Sequence, residues 1–140
     1  MSMSVSEYFE GIQGRLGIIA MRGCEEFAKK VSDQIVEIRE KMGDTEIIGY
    51  HRDSYILDAE FPRFSTGEGK GVINESIRGY DLFIISDCFN YSVTYKMYNL
   101  KDADGNPLQV PMSPDDHFAD LKRVISACAG KAKRITVIMP

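Results

Sequence analysis

A chain of 140 residues, 44% hydrophobic and 27% charged, is long and apolar enough for one packed domain, which excludes compositional disorder. Its formal net charge is −4, and no dense Lys/Arg stripe supplies the basic face that binding through nucleic-acid phosphates requires. No apolar run approaches the roughly 20 residues of a membrane span, and the start Met1-Ser2-Met3-Ser4-Val5-Ser6 lacks the basic leader and apolar stretch of a signal peptide.

Taken in chain order, residues 4 to 14 predict a short, weak helix or arm. Residues 16 to 20 are apolar, β-branched and flanked by glycine, the pattern of a buried strand. A strong helix follows: Cys24, Phe27, Ala28, Val31, Ile35 and Ile38 recur at helical spacing, with Glu25, Lys29, Asp33 and Glu37 opposite and Gly43 at the stop. Residues 46 to 50 predict a second strand, which completes a βαβ-like opening and favours an α/β sheet.

The middle section changes character. Residues 53 to 64 carry short strand-like pieces, and residues 64 to 71 form a glycine-rich loop. Residues 72 to 77 alternate apolar and polar side chains as a half-exposed strand does, residues 78 to 81 make a turn, and residues 82 to 86 are a continuous apolar strand. Residues 91 to 112 form an inserted excursion, a small hairpin around the turn-rich Asp102, Gly105 and Pro107. Ser113, Pro114, Asp115 and Asp116 then predict a helix start, with Ser113 as N-cap and both carboxylates at the positive dipole end. Phe118, Leu121, Val124, Ile125 and Cys128 are its expected buried face, Gly130 its end, and residues 134 to 139 the closing strand.

Few residues advertise chemistry. Cys24, Cys88 and Cys128 are too far apart for a CxxC pair, and with His51 and His117 they make no zinc spacing, so reduced, mostly buried thiols of a cytoplasmic protein are expected. Consecutive Asp115, Asp116 and His117 splay around a helix and cannot converge on one ion; His117 is expected to touch solvent or a neighbouring subunit. Glu60 and Glu68 have no motif supporting acid–base work. The glycine-rich loop is neither a Walker A loop nor a Rossmann fingerprint. It admits two readings: backbone N–H groups exposed to a phosphate or nucleotide, or a plain hairpin turn.

Three segments together carry a resemblance. Phe64-Ser65-Thr66-Gly67-Glu68 resembles the Phe-Ser-Asp-Gly-Glu loop of ribose-phosphate pyrophosphokinases. Residues 73 to 85, beginning Ile73-Asn74-Glu75-Ser76-Ile77-Arg78-Gly79, are similar to the family's Asn-Glu-Ser-Val-Arg-Gly turn and the strand after it. Residues 120 to 140 resemble the helix and strand that precede its catalytic segment, and the resemblance spans residues 15 to 140. Residues 53 to 62 and 91 to 112 are longer than in compact members, like a longer bacterial branch.

The resemblance implies an α/β fold, a phosphoribosyltransferase-type, mainly parallel sheet flanked by helices with an added β-hairpin. Residues 1 to 140 would be one domain, the amino-terminal half of a two-domain synthase. The full enzyme transfers the diphosphoryl group of Mg-ATP to ribose 5-phosphate, giving phosphoribosyl diphosphate for nucleotide biosynthesis, and assembles from dimers to hexamers. By carry-over, Phe64 would stack on the adenine of ATP across a subunit interface, Glu68 would organise hydrogen bonds at its polar edge, and Thr66 stands where the family has Asp. Ser76 and Arg78 match a regulatory phosphate site. The catalytic and metal-binding segments would lie beyond Pro140, so no catalytic or metal residue is assigned, Mg2+ belongs to the full enzyme with ATP, and the isolated chain is expected to be inactive. Weak self-association is expected, with neither nucleic acid nor membrane as partner. The alternatives are a non-catalytic, synthase-associated regulatory or oligomerisation module, and a nucleotide-binding regulatory domain unrelated to the synthase.

Overall fold

The computed structural model describes residues 14–42 and 52–140. The arm expected before residue 14, the helix stop at Gly43, the strand expected over residues 46 to 50 and His51 lie outside the described residues.

Among the described residues three strands form the central sheet: β1 (Arg15–Ala20), β4 (Tyr80–Ile85) and β7 (Arg134–Ile138), in the spatial order β1-β4-β7 and all parallel. The register sets Ile18 opposite Phe83 and Phe83 opposite Thr136. Along the outer edge of β1, the Ile18 amide donates to the Tyr55 carbonyl and the Leu57 amide to the Ile18 carbonyl, both at 2.8 Å. Residues 55–57 thus extend the sheet by a parallel bridge at Ile56.

The strands are apolar on both sides because both faces are covered. Helix α1 (Glu25–Met42) covers one face: Cys24, Ala28, Val31 and Ile35 pack with Ile18, Tyr55 and Ile85. Helix α2 (Pro114–Ala127) covers the other, where Leu121, Val124 and Cys128 meet Ile19, Leu82 and Ile84. Leu82 and Ile84 are fully buried, each worth about 1.5–3 kcal/mol relative to exposure.

The helical faces are narrower than the sequence suggests. Phe27 and Ile38 stand 47% and 53% exposed, because the buried stripe of α1 runs instead through Cys24, Ala28 and Ser32. Ser32 is buried with its hydroxyl accepting the Tyr55 amide at 2.9 Å, which ties the 52–57 segment to the helix. On α2, Phe118 and Ile125 are exposed, and His117 and Asp120 occupy the interior instead. His117 is therefore buried rather than solvent-facing, with Nε2 hydrogen-bonded to the Asn90 carbonyl at 2.8 Å. Phe118 lies under the Lys122 ammonium, 5.1 Å from its ring centre, which makes an exposed aromatic less costly.

The start of α2 follows the sequence expectation. Ser113 is the N-cap, its hydroxyl accepting the Asp116 amide while the Asp116 carboxylate accepts the Ser113 amide, and Pro114 opens the first turn. Two small antiparallel sheets stand beside the central sheet among the described residues. Strands β2 (Ala59–Glu60) and β3 (Val72–Ile73) pair briefly, so the alternating 72 to 77 segment gives only two ladder residues before it turns toward β4. Strands β5 (Thr94–Lys101) and β6 (Pro107–Pro111) form the expected hairpin over the 91 to 112 excursion, closed by a turn in which Asp102 Oδ1 accepts the Asp104 and Asn106 amides. No helix among the described residues is long and apolar enough to cross a membrane.

Candidate functional site

The 64–68 bend lies between β2 and β3 and is a tight hairpin. The Phe64 amide donates to the Glu68 carbonyl at 2.8 Å, the Gly67 amide to the Phe64 carbonyl at 2.9 Å, and the Lys70 amide to the Pro62 carbonyl at 2.9 Å. Arg63 and Gly69 bridge across its neck. Its amides at residues 64, 67 and 70 are satisfied internally, which closes the loop as a hairpin turn. Phe64 is 55% exposed, and Thr66 and Glu68 are exposed with it. All three predicted loop residues are therefore exposed on the same hairpin turn.

The glycines serve the packing beneath the bend. Gly67 has a φ of +90°, which L side chains rarely adopt, and faces the Tyr95 and Met97 side chains of β5. A Cβ on Gly69 would come within 2.6 Å of Arg63 Nη1 and 2.7 Å of Asp120 Oδ1. The loop can lie this close to α2 only without side chains there.

What anchors the bend is an ion cluster that sequence reasoning missed. Arg63 Nη2 reaches Asp120 Oδ2 at 2.7 Å with the two side chains 6% and 3% exposed, and Arg123 Nη1 reaches Asp120 Oδ1 at 2.9 Å. Arg63 also lies over the Tyr95 ring, 4.7 Å from its centre, and donates to the Gly67 carbonyl at 3.3 Å. The Asn99 amide approaches the Ser65 carbonyl at 3.4 Å. The bend is thus fixed from below by α2 and from one side by the inserted hairpin. A signal existed in the sequence: Asp120 falls beside Leu121 and Val124 on the inward face of α2, and a carboxylate there needs a cation.

Ser76 and Arg78 stand exposed in the turn before β4, with the Arg78 amide 3.5 Å from the Ser76 hydroxyl. That turn follows β3 whereas the bend precedes it, and no hydrogen bond or ion pair among the described residues links the two. Strand β4 is locked to β7 just beyond the turn, where the Asp81 carboxylate takes two hydrogen bonds from the Arg134 guanidinium.

Of the thiols, Cys24 and Cys128 are buried and Cys88 is half-buried. Burial pushes the Cys24 and Cys128 thiols up, which keeps both protonated and unreactive near neutrality. Asp116 is engaged in the helix cap and His117 with Asn90. Among the described residues no group of three or more His, Cys, Asp and Glu side chains converges on one point.

A parallel sheet covered on both faces, with two short antiparallel hairpins beside it among the described residues, defines an α/β domain of phosphoribosyltransferase type. The family model for the N-terminal domain of ribose phosphate pyrophosphokinase matches residues 16–140, and the chain belongs to that family. No curated protein matched the chain.

Proposed function

We propose that this chain supplies the base-reading half of an ATP site to a ribose-phosphate diphosphokinase, the enzyme that transfers diphosphate from Mg-ATP to ribose 5-phosphate. The observation that carries this reading is the exposure of Phe64, Thr66 and Glu68 together on one braced hairpin. An exposed Phe ring on a rigid turn offers a purine a flat apolar face, and base–aromatic stacking contributes about 1–3 kcal/mol per base in nucleic-acid systems. Glu68 can accept from the adenine amino group, which guanine lacks at that position. Thr66 adds a neutral donor and acceptor where a charged carboxylate stands in the resembling loop.

The rest of the ATP site comes from elsewhere in the assembly, so the chain by itself makes no phosphoribosyl diphosphate. The Ser76–Arg78 turn fits a regulatory phosphate, with a guanidinium and a hydroxyl two residues apart and both exposed. Exposed Phe89, Tyr91 and Tyr98 support self-association of the domain.

The chain has no Trp, so Phe64→Trp places a single fluorescent reporter on the bend. Titration with ATP is expected to quench it saturably, while GTP and ribose 5-phosphate leave it nearly unchanged. Equal response to ATP and GTP, or none to either, contradicts adenine reading.

A further inference from the structure

We propose a second ligand site, distinct from the adenine-reading bend and from the Ser76–Arg78 turn: the cleft between the β5–β6 hairpin and the neck of the bend takes a phosphoryl group. The cleft has a volume of about 280 Å³. That is near the low end for small-molecule pockets, roughly 300 Å³, and suits one compact oxyanion or the phosphate end of a longer molecule.

Its lining is cationic in a chain of net charge −4. Arg22, Arg63 and Lys96 all border it, and among the described residues no carboxylate does. Asp120, behind Arg63, is shared with Arg123, so that cluster of two guanidinium groups and one carboxylate keeps a net positive charge. Arg22 is held by a neutral group, its guanidinium donating to the Phe61 carbonyl. Among the described residues neither Arg22 nor Lys96 has a carboxylate within ion-pair distance. Three cations in one concavity, two of them without an acid, repel one another unless an anion joins them. A dianion answers this charge better than a single carboxylate.

The remaining lining groups suit the same ligand. The Arg63 side chain is nearly fully buried, and its Nε has no hydrogen-bond partner among the described residues, so its donors are incompletely used. Thr94 Oγ1 accepts from Gln109 Nε2 at 2.7 Å, which leaves the Thr94 hydroxyl hydrogen available to donate. The Arg63 guanidinium is fixed over the Tyr95 ring and by Asp120, so binding need not order it. Because Thr94, Tyr95, Lys96 and Gln109 all come from the inserted hairpin, the hairpin both braces the bend and builds this site.

Inorganic phosphate and the phosphates of a nucleotide share this chemistry, and a titration of the 140-residue chain separates them. Amide resonances followed by NMR during addition of inorganic phosphate at constant ionic strength are expected to show saturable shifts at residues 94–96. Lys96→Ala and Arg22→Gln are each expected to weaken phosphate binding about tenfold, as loss of one charge-assisted contact does. Arg78→Ala is expected to leave these shifts unchanged. If ADP gives the same shifts at much lower concentration, the ligand is a nucleotide phosphate; if ADP is no better than phosphate, it is the free ion. Shifts reproduced by chloride, binding indifferent to both Lys96→Ala and Arg22→Gln, or binding abolished by Arg78→Ala would overturn the proposal. The Phe64→Trp quench is independent of these outcomes, so either reading can fail alone.

Discussion

Arg63 and Asp120, 57 residues apart, form a 2.7 Å ion pair with both side chains almost wholly buried. Through it, the residue immediately before the exposed Phe64 is pinned to helix α2. The pair joins the exposed bend to the helix that covers the sheet. Burying two charges costs several kcal/mol per ion unless geometry is good and further hydrogen bonds are made. Here Arg123 completes the carboxylate, while the Gly67 carbonyl and the Tyr95 face receive the Arg63 guanidinium.

Asp120→Ala therefore leaves a buried guanidinium without its counter-charge. Urea unfolding is expected to show a loss of about 3–5 kcal/mol, the range for breaking a buried pair from one side. A loss below about 1 kcal/mol, the median worth of a surface pair, would mean that the cluster does not hold the bend.

Gly69→Ala tests the close approach directly. Its Cβ would crowd both Arg63 and Asp120, and such overpacking costs about 1–3 kcal/mol. In a double-mutant cycle the penalty should shrink when Asp120 is already Ala, because the obstructing carboxylate is gone. Additive effects would place the strain elsewhere.

The capping box predicts a smaller, local effect. Ser113→Ala removes the acceptor of the Asp116 amide, and the loss expected by thermal or urea unfolding is about 1 kcal/mol. Ser113→Thr should recover most of it, since its hydroxyl can accept the same bond and still donate to the Asp116 carboxylate as Ser113 does.

The thiols give a pH dependence with a definite sign. Cys24 and Cys128 are raised by burial, so the folded state keeps protons that the unfolded state releases. Their contribution is fully present below the unfolded thiol value, about 8.5, and is lost as pH rises toward the folded values. Stability measured in urea should fall above about pH 8.5, and Cys128→Ala should flatten part of that fall. Iodoacetamide at neutral pH should modify Cys88, the only thiol of the three that is not buried, well before the other two.

The sheet and both helices were legible in the sequence where local signals agreed. Apolar runs gave β1, β4 and β7, and the Ser113-Pro114 start gave α2. The exposed bend followed from the matched loop residues. Tertiary pairing was not legible. Residues 72–77 alternate like a strand, yet only Val72 and Ile73 find a ladder partner, opposite Glu60 and Ala59. The buried face of α2 was right at Leu121, Val124 and Cys128 and wrong at Phe118 and Ile125, because apolar character was followed where the polar His117 and Asp120 turn inward. The interior nevertheless holds the latter two, because the Asn90 carbonyl and the Arg63 and Arg123 guanidinium groups satisfy them. Partners that distant in the chain leave no periodic signal.

The most direct test of adenine reading is photolabelling with 8-azido-ATP followed by tryptic mass mapping. Arg63 and Lys70 are cleavage sites flanking the bend, so the peptide of residues 64–70 reports on it alone. Label concentrated on that peptide, competed by ATP and lost in Phe64→Ala, is the expected result. Label confined to other peptides, or unaffected by Phe64→Ala, would contradict the assignment of the bend to the adenine base.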